Sequence, residues 1–387
     1  MIDFVYHNPT SIVFGRGAEK NTGEFAARYG KKILLHYGGG SIKRNGVYDK
    51  IVASLREHGL DFVELGGVQP NPRLSMVYEG IALCKQEQVD LVLAVGGGSA
   101  IDSAKAIAAG VCYDGDVWDF FATPDGPDKI KRRLALGSVL TIPAAGSESS
   151  ISCVITNEDG WYKRGVNTDV IRPDFAIINP ETNYTLPPYQ TACGCADIMA
   201  HLMERYFTQV RDVDYSDRLI EASLRTMLNF APLALKDPDD YDIRAEINWV
   251  GTLAHNTLLD RGRIGDWGSH MIEHEISGIY DIAHGAGLSI VFPAWMRYVN
   301  AHHKSRFVQF AVRVMDVDMS YDNEDRIIQE GIDRLERFFL SLGLPTRLGD
   351  ADIGSDHLRE MADKCKPCGN LVKLDCDDVY EILKLAL

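Results

Sequence analysis

Short apolar segments alternate with longer stretches through the first half of the chain. Each short segment is rich in β-branched and aliphatic residues, and most of the intervening stretches are long enough to hold a helix. A regular alternation of strands and helices is typical of a parallel sheet covered by helices. We therefore predict an α/β domain with a parallel sheet. The predicted strands are residues 33–37, 61–65, 91–95, 138–142 and 175–178.

A proline-rich segment, residues 179–188, follows the last predicted strand. Proline cannot continue a helix, so this segment separates the β-rich half from the rest of the chain. Beyond it the β-rich runs nearly vanish, and apolar residues recur at helical spacing, as at Ile220, Leu224 and Met227. The sequence therefore predicts an α/β domain over residues 1–185 and an all-α domain over residues 186–387.

The chain carries a net charge of −15, from 40 Lys plus Arg against 55 Asp plus Glu. This charge repels phosphate backbones and anionic lipid, so we expect no nucleic-acid partner and no membrane partner. No run of about eighteen apolar residues, the length that spans a bilayer, is present in the sequence. The eight cysteines are spread too thinly for a disulfide-rich secreted domain. We expect a cytoplasmic protein.

A Gly-Gly-Gly-Ser run at residues 96–99 connects a predicted strand to a good helix opening. Backbone N–H groups in such a loop approach oxyanions closely, and the following helix directs its positive end toward them. Ser99 is suited to cap the helix or bind phosphate, and the charge of Asp102 is favourable near a helix N-terminus. The loop is typical of a phosphate site, and a bare strand-to-helix turn is the alternative.

A second Gly-Gly-Gly-Ser run, residues 38–41, follows the first predicted strand. Neither run fits the G-x-G-x-x-G or P-loop pattern, so a nucleotide site here is of a variant type. Enzymes that bind NAD place an acidic residue near such a loop to accept from the ribose 2′-hydroxyl. This run offers glycine and Ser41 instead, with Lys43 and Arg44 beside it. The chemistry favours NADP, with NAD or a simple surface turn as alternatives.

Carboxylate and imidazole groups recur at helical spacing in the second half of the chain. Asp197 and His201 are four residues apart, which places them on one face of a helix, about 6 Å from each other. His270 and His274 repeat this spacing. Imidazole and carboxylate donors suit zinc or iron(II) better than calcium or magnesium. The pattern therefore predicts a divalent-metal site.

His284 follows the second of these pairs. An unbroken helix would place His270 and His284 roughly 21 Å apart, too far to share one ion. The chain must therefore turn back between them, and Gly278 is the expected break.

Two other functions fit parts of the pattern. Residues 270–274 match H-x-x-E-H, the inverted zinc-peptidase motif, with Glu273 as general base. That function leaves the glycine runs and the parallel sheet unused. A nucleotide-binding regulator without chemistry explains the glycine runs and leaves the metal-type residues unused. A dehydrogenase uses both sets.

Ordered motifs extend over nearly the whole chain. They are N-P-T at 8–10, F-G-R-G at 14–17, Y-G-G-G-S at 37–41, P-N-P at 70–72, G-G-G-S-A-I-D-S-A-K at 96–105, T-I-P-A-A-G-S-E at 141–148, G-D-W at 265–267, Y-D-I-A-H-G-A-G at 280–287 and F-P-A-W-M at 292–296. Together they resemble the iron-containing, group III alcohol dehydrogenases, particularly the branch of butanol dehydrogenases and NADPH-dependent aldehyde reductases.

This resemblance implies a dehydroquinate synthase-like architecture, with a dinucleotide-binding domain over residues 1–185 and a metal-binding domain over residues 186–387. The metal ligands that it implies, for iron(II) or zinc, are Asp197, His201, His270 and His284. It also implies that His274 lines the pocket as a catalytic proton-relay residue. The implied contacts to NADP, or to NAD, are Gly38, Gly39, Gly40, Ser41, Gly96, Gly97, Gly98, Ser99, Asp102, Thr141, Lys163 and Leu186.

The implied reaction is metal-dependent hydride transfer between NAD(P)H and an aldehyde and its primary alcohol, such as butanal and butanol, with broad specificity. A homodimer is expected. Two residues depart from the family pattern. Ala145 replaces a frequent threonine and removes a hydroxyl near the nicotinamide pocket, and Asn179 replaces a usual aspartate in a packing or turn position. The loops also resemble those of polyol-phosphate dehydrogenases and of dehydroquinate synthases, which are lyases, so these functions stay as alternatives.

Overall fold

The computed structural model of the chain describes residues 1–319 and 323–387. The strands are β1 (Ser11–Phe14), β2 (Lys32–Tyr37), β3 (Asp61–Leu65), β4 (Leu91–Gly96), β5 (Ala135–Leu140), β6 (Ser152–Asn157), β7 (Tyr162–Asn167) and β8 (Phe175–Ile178). The first helices are α1 (Thr22–Ala26), α2 (Ser41–Arg44), α3 (Val47–Glu57), α4 (Leu74–Glu87), α5 (Gly98–Val111), α6 (Asp119–Ala122) and α7 (Gly126–Lys129). The later helices are α8 (Pro188–Tyr206), α9 (Asp214–Lys236), α10 (Tyr241–His255), α11 (Gly268–Tyr280), α12 (His284–Val299), α13 (Lys304–Arg313), α14 (Glu324–Ser341), α15 (Leu358–Lys364) and α16 (Cys376–Leu385).

Six strands form one parallel sheet in the order β1-β8-β5-β4-β2-β3. β6 and β7 form a separate antiparallel hairpin. Every residue of β4 is buried, as expected for an apolar strand covered on both faces. The predicted fold class, a parallel α/β region followed by helices, is confirmed.

Alternate residues of the central strands enter two different hydrophobic cores. Leu34 and Val92 pack with residues of α4 and α5 on one face of the sheet. Ile33 and Leu93 pack with residues of α1 and α3 on the other face. Because side chains alternate along a strand, each central strand holds helices on both faces and keeps its carboxyl end in place for the loop that follows.

The fourth predicted strand is displaced along the chain. The prediction was residues 138–142, whereas β5 spans Ala135–Leu140. Ala135 pairs with Leu91 of β4, and the carboxylate of Asp174 accepts the Leu136 N–H at 2.8 Å. The prediction missed this start because alanine and glycine have low strand propensity, whereas pairing with β4 decides the register.

The chain divides into two compact units, here called the α/β unit and the helical unit. The α/β unit is His7–Leu186 with Pro238–Thr257. The helical unit is Met1–Tyr6, Pro187–Asp237 and Leu258–Leu387. The predicted single boundary between residues 185 and 186 therefore assigns two segments, Met1–Tyr6 and Pro238–Thr257, to the wrong units.

Specific hydrogen bonds explain both segments. The Asn248 side chain of α10 donates to Asn183, and the Thr252 hydroxyl donates to Glu148 at 2.6 Å, which ties this helix to the α/β unit. At the other end, the Met1 amino group donates to the Arg211 carbonyl at 3.1 Å within the helical unit. Contiguous sequence patterns contain no sign of such long-range pairs.

In the described part of the chain, no helix has both the length and the apolar composition needed to cross a membrane.

Candidate functional site

Asp197 and His201 lie on α8, one turn apart, as their spacing predicts. Asp197 Oδ1 lies 3.1 Å from His201 Nδ1, and both side chains are buried. Burial raises the pKa of Asp197, but the facing imidazoles of His201, His284 and His270 outweigh it and lower this pKa to about 2. Asp197 therefore presents a full negative charge inside the helical unit.

The start of α11 brings His270 to this pair. The ring centroid of His270 lies 4.7 Å from that of His201 and 5.4 Å from that of His284. Burial, together with repulsion from these two imidazoles, holds the pKa of His270 well below its ordinary value. A neutral imidazole keeps one nitrogen lone pair, which is the form that binds metals.

The start of α11 is itself held by buried acids. Trp267 precedes the helix with a left-handed φ of 66°, and Asp266 accepts the Gly268 N–H at 2.9 Å. Glu204 of α8 accepts from the Trp267 N–H and from the His270 N–H at 3.1 Å. Burial raises the pKa of Glu204 to about 7 and that of Asp266 to about 6. These contacts place the helix N-terminus, and so His270, next to α8.

The chain turns back between His270 and His284, but not at the predicted residue. α11 continues through Gly278 to Tyr280 and ends where Asp281 adopts a left-handed φ of 52°. The Asp281 N–H donates to the Ser277 carbonyl at 3.0 Å, closing the last turn. The prediction of Gly278 as the break was wrong because aspartate also tolerates the left-handed region.

His284 is the first residue of α12 and lies beside Asp197. Its Nε2 is 3.9 Å from Asp197 Oδ1, and its Nδ1 donates to Glu273. Gly285 makes this approach possible, since a Cβ there would lie 2.0 Å from the Cys193 carbonyl oxygen of α8. The glycine after His284 is therefore required for close contact between α8 and α12.

Two neighbouring sets of side chains could each hold a metal ion. In one set, ligand atoms of Asp197, His201 and His270 lie within 4.8 Å of one another. Glu273, His274 and His284 form a second set by the same measure. The rings of His274 and His284 are 5.7 Å apart. The structure thus brings all four predicted ligands and His274 into one region of the helical unit, where only His284 is partly exposed among these five.

Sequence reasoning missed the part that Glu204 and Glu273 play beside the histidines. Glu204 accepts from His270 Nδ1 at 2.7 Å, and Glu273 accepts from His284 Nδ1 and the Ser277 hydroxyl. The available signal was spacing, because Glu204 follows His201 by three residues and lies on the same helix face.

The two glycine runs follow neighbouring parallel strands of the α/β unit. Residues 38–41 follow β2 and residues 96–99 follow β4, and these strands pair directly. A Cβ on Gly96 would lie 2.8 Å from Ala100, and one on Gly98 would lie 2.9 Å from Ala145. Glycine is therefore required in the second run, and both runs lie at the carboxyl edge of the sheet, where α/β proteins bind ligands.

Asp102, on α5, is bonded to the segment between β5 and β6 and to β6 itself. Its carboxylate accepts from the Ser147 hydroxyl and from the Val154 N–H at 2.9 Å. Lys105, fully buried one turn later, donates to Ser147 at 2.8 Å, and burial lowers its pKa to about 8. Asp102 and Lys105 thus connect α5 to the segment of residues 147–154 by hydrogen bonds.

The remaining predicted cofactor residues lie in three places. The Thr141 N–H donates to the Gly96 carbonyl at 3.0 Å, which places Thr141 beside the second glycine run. Lys163 is buried on β7, where it pairs with Thr156. Leu186 closes the last turn before α8, and its N–H donates to the Asn183 carbonyl at 3.1 Å. The structure brings Thr141 to the second glycine run, whereas Lys163 belongs to the hairpin.

Family comparisons agree with this arrangement. Residues 9–180 match the iron-containing alcohol dehydrogenase family, and residues 191–387 match the C-terminal domain of the Fe-containing alcohol dehydrogenase family. The chain belongs to the iron-containing alcohol dehydrogenases.

Relatives of this alcohol dehydrogenase match it over almost their full length. NADH-dependent butanol dehydrogenase A of Clostridium acetobutylicum is 43% identical over 99% of each chain. NADPH-dependent aldehyde reductase YqhD of Escherichia coli is 35% identical over 95% of this chain and 94% of its own. The crystal structure of NADH-dependent butanol dehydrogenase A from Thermotoga maritima is 41% identical, with a TM-score of 0.94 over 99% of this chain and 98% of that one.

The predicted family and the predicted enzyme class, an NAD(P)-dependent alcohol dehydrogenase or aldehyde reductase, are confirmed. The peptidase, the lyase, the polyol-phosphate dehydrogenase and the regulator gain no support from these relatives. In this alcohol dehydrogenase the peptidase assignment also lacks its general base, because Glu273 is fully buried and bonded to Ser277 and His284.

Proposed function

We propose that this alcohol dehydrogenase interconverts short aliphatic aldehydes, such as butanal, and their primary alcohols, with broad specificity. The observation that carries the proposal is the group of three imidazoles and one carboxylate in the helical unit, of which Asp197, His201 and His270 are buried and His284 is half-buried. The relatives from C. acetobutylicum and T. maritima, both named butanol dehydrogenases, support a four-carbon substrate.

The donor set fits a divalent metal. His270 Nε2 is buried and has no hydrogen-bond partner in the described ranges, and the pKa of its ring favours the neutral form. Asp197, His201, His270 and His284 would hold the ion, and nitrogen and oxygen donors suit iron(II) or zinc. When bound, the metal would polarise a carbonyl oxygen, and reduced nicotinamide would supply hydride to the carbonyl carbon.

Other side chains near the cluster would handle the proton and the substrate chain. His274 is buried beside His284, and its imidazole would donate the proton that completes the alcohol hydroxyl. The partly exposed ring of Trp267 lies 5.3 Å from that of His270 and would pack against a short alkyl chain. Phe292 and Trp295 are fully buried and pack in the core of the helical unit.

The glycine runs and Thr141 would bind the dinucleotide, and we propose NADPH as the preferred form. Glu64, on the strand that pairs with β2, is engaged by Tyr37, Tyr48 and the Lys43 ammonium at 3.1 Å. Arg44 is exposed, and its guanidinium lies beside Gly40 at the first run. Arg44 is therefore better placed than Lys43 to receive a 2′-phosphate. The names of the relatives include both NADH-dependent and NADPH-dependent enzymes.

The test is removal of the metal, followed by an assay of butanal reduction with NADPH. Chelator-treated enzyme should keep its circular-dichroism spectrum, because the α/β core does not need the metal, and should lose butanal-dependent oxidation of NADPH. Added zinc or iron(II) should restore the activity. Full activity in protein shown by elemental analysis to be metal-free would contradict the proposal.

We also propose a homodimer in the cytoplasm. Sedimentation equilibrium of the purified enzyme tests the first part, and a monomer at micromolar concentration would contradict it.

A further inference from the structure

Two buried carboxylates outside the proposed ligand set bind two of the ligand imidazoles. We propose that Glu204 and Glu273 are positioning residues that fix the orientation and tautomer of His270 and His284 and so determine the affinity for a divalent metal. The inference rests on the proposed function, because it concerns the same metal site.

Glu204 holds both the backbone and the ring of His270. Its side chain is fully buried on α8. One oxygen accepts from the His270 N–H at 3.1 Å and from His270 Nδ1 at 2.7 Å, and the other accepts from the Trp267 N–H. Three donors on one carboxylate leave the imidazole a single orientation, with the proton on Nδ1.

Glu273 holds the ring of His284. It is fully buried on α11, one residue before His274. One carboxylate oxygen accepts from His284 Nδ1 and the other from the Ser277 hydroxyl. The carboxylate thus links the two helices on either side of the turn at Asp281.

A neutral imidazole has one N–H and one lone pair. When a carboxylate holds the proton on Nδ1, the lone pair lies on Nε2. His270 Nε2 is buried with no hydrogen-bond partner in residues 1–319 and 323–387, and His284 Nε2 lies 3.9 Å from Asp197. Both rings therefore direct a lone pair to one region, and the carboxylate behind each ring makes it a more basic ligand.

Glu273→Gln is the primary variant because it keeps the shape of the side chain. The Ser277 hydroxyl can donate or accept, so an amide at position 273 can still be satisfied while the charge is lost. Glu204→Gln is the second variant, and its amide N–H₂ would have to face one of three N–H donors. Glu221→Gln is the matched control, since this buried carboxylate of α9 is bonded to Tyr206 and Arg313.

The measurement is the zinc dissociation constant of metal-free enzyme, in competition with a chromophoric chelator. We expect Glu273→Gln to raise this constant about 10- to 100-fold, Glu204→Gln at least as much, and Glu221→Gln not at all. NMR of ¹⁵N-histidine in metal-free protein should show the Nδ1–H tautomer for His284 in the wild type and a mixture in Glu273→Gln.

The outcomes separate this inference from the proposed function. Zinc binding that is equally tight in the wild type and Glu273→Gln would overturn the inference and leave the metal site intact. A wild type that binds no divalent metal would contradict the proposed function. In that case the tautomer still decides the inference, because a wild-type His284 with its proton on Nε2 would overturn it.

Discussion

The glycine runs of the α/β unit and the histidine cluster of the helical unit offer different parts of the polypeptide for the proposed binding. At the glycine runs, the backbone N–H groups that follow β2 and β4 would contact the ligand, and residues 39–41 are exposed. In the cluster, side chains from α8, α11 and α12 meet inside the helical unit, and His270 and His284 are each bonded to a further buried carboxylate. The first site would therefore depend on glycines that leave the backbone accessible, whereas the second would depend on which side chains are present.

The largest expected effect is in the cluster. His270→Ala should lower both metal content and aldehyde reduction more than about 100-fold, since it removes a ligand rather than a group behind one. His274→Ala should keep the metal and slow turnover by about 100-fold, because it would lose only proton transfer. Elemental analysis with steady-state kinetics measures both effects. Loss of metal from His274→Ala would make it a ligand and break this distinction.

The next effect belongs to the α/β unit and depends on pH. His36 is fully buried and bonded to Leu65 and Ser103, and burial lowers its pKa from 6.5 to about 4. Between these two pKa values the His36 side chain binds a proton in the unfolded chain but not in the folded chain, so the free energy of unfolding falls as pH falls. The full loss, reached below pH 4, is about 3 kcal/mol of unfolding free energy.

Urea denaturation from pH 7.5 to 4.5 should show this decline, and His36→Gln should flatten it. An unchanged slope in the variant would place the acid sensitivity elsewhere.

A smaller effect is expected on stability when a methyl group is added at one glycine of each site. Gly285→Ala forces a methyl group against the Cys193 carbonyl, so it should destabilise the enzyme by about 1–3 kcal/mol and weaken metal binding. Gly39→Ala should change stability by less than about 0.5 kcal/mol, because nothing lies within 4 Å of the added Cβ. Thermal unfolding of the two variants tests this contrast, which would fail if both behaved alike.

The smallest expected effect concerns cofactor choice. Gly39→Asp adds a carboxylate that repels a 2′-phosphate, so NADPH binding should weaken about tenfold while NADH binding changes little. Arg44→Gln should also weaken NADPH, and Lys43→Gln should not, because Lys43 is paired with Glu64. Fluorescence titration of both cofactors is the measurement. A wild type that favours NADH would show that the first glycine run does not select the cofactor.

The sequence predicted those features that depend on local spacing. Five of the six strands of the parallel sheet follow from short apolar runs, and the Asp197–His201 pair follows from helical spacing, whereas β1 was not predicted. The partners of Glu204 and Glu273 could not be predicted, because a carboxylate on a helix does not show which distant imidazole it will meet. The turn at Asp281 was missed for a related reason. Glycine is the usual signal for a helix end, but here an aspartate fills that position.

The discontinuity of the α/β unit affects its synthesis on the ribosome. The last strand of the sheet ends at Ile178, but α10, which supplies partners to Asn183 and Glu148, ends only at His255. At about 5–20 residues per second, roughly 4 to 15 s pass between these two points. During that interval the nascent α/β unit lacks α10, and Asn183 and Glu148 lack their partners on this helix. The first 186 residues therefore complete the strands of the α/β unit but not its helices.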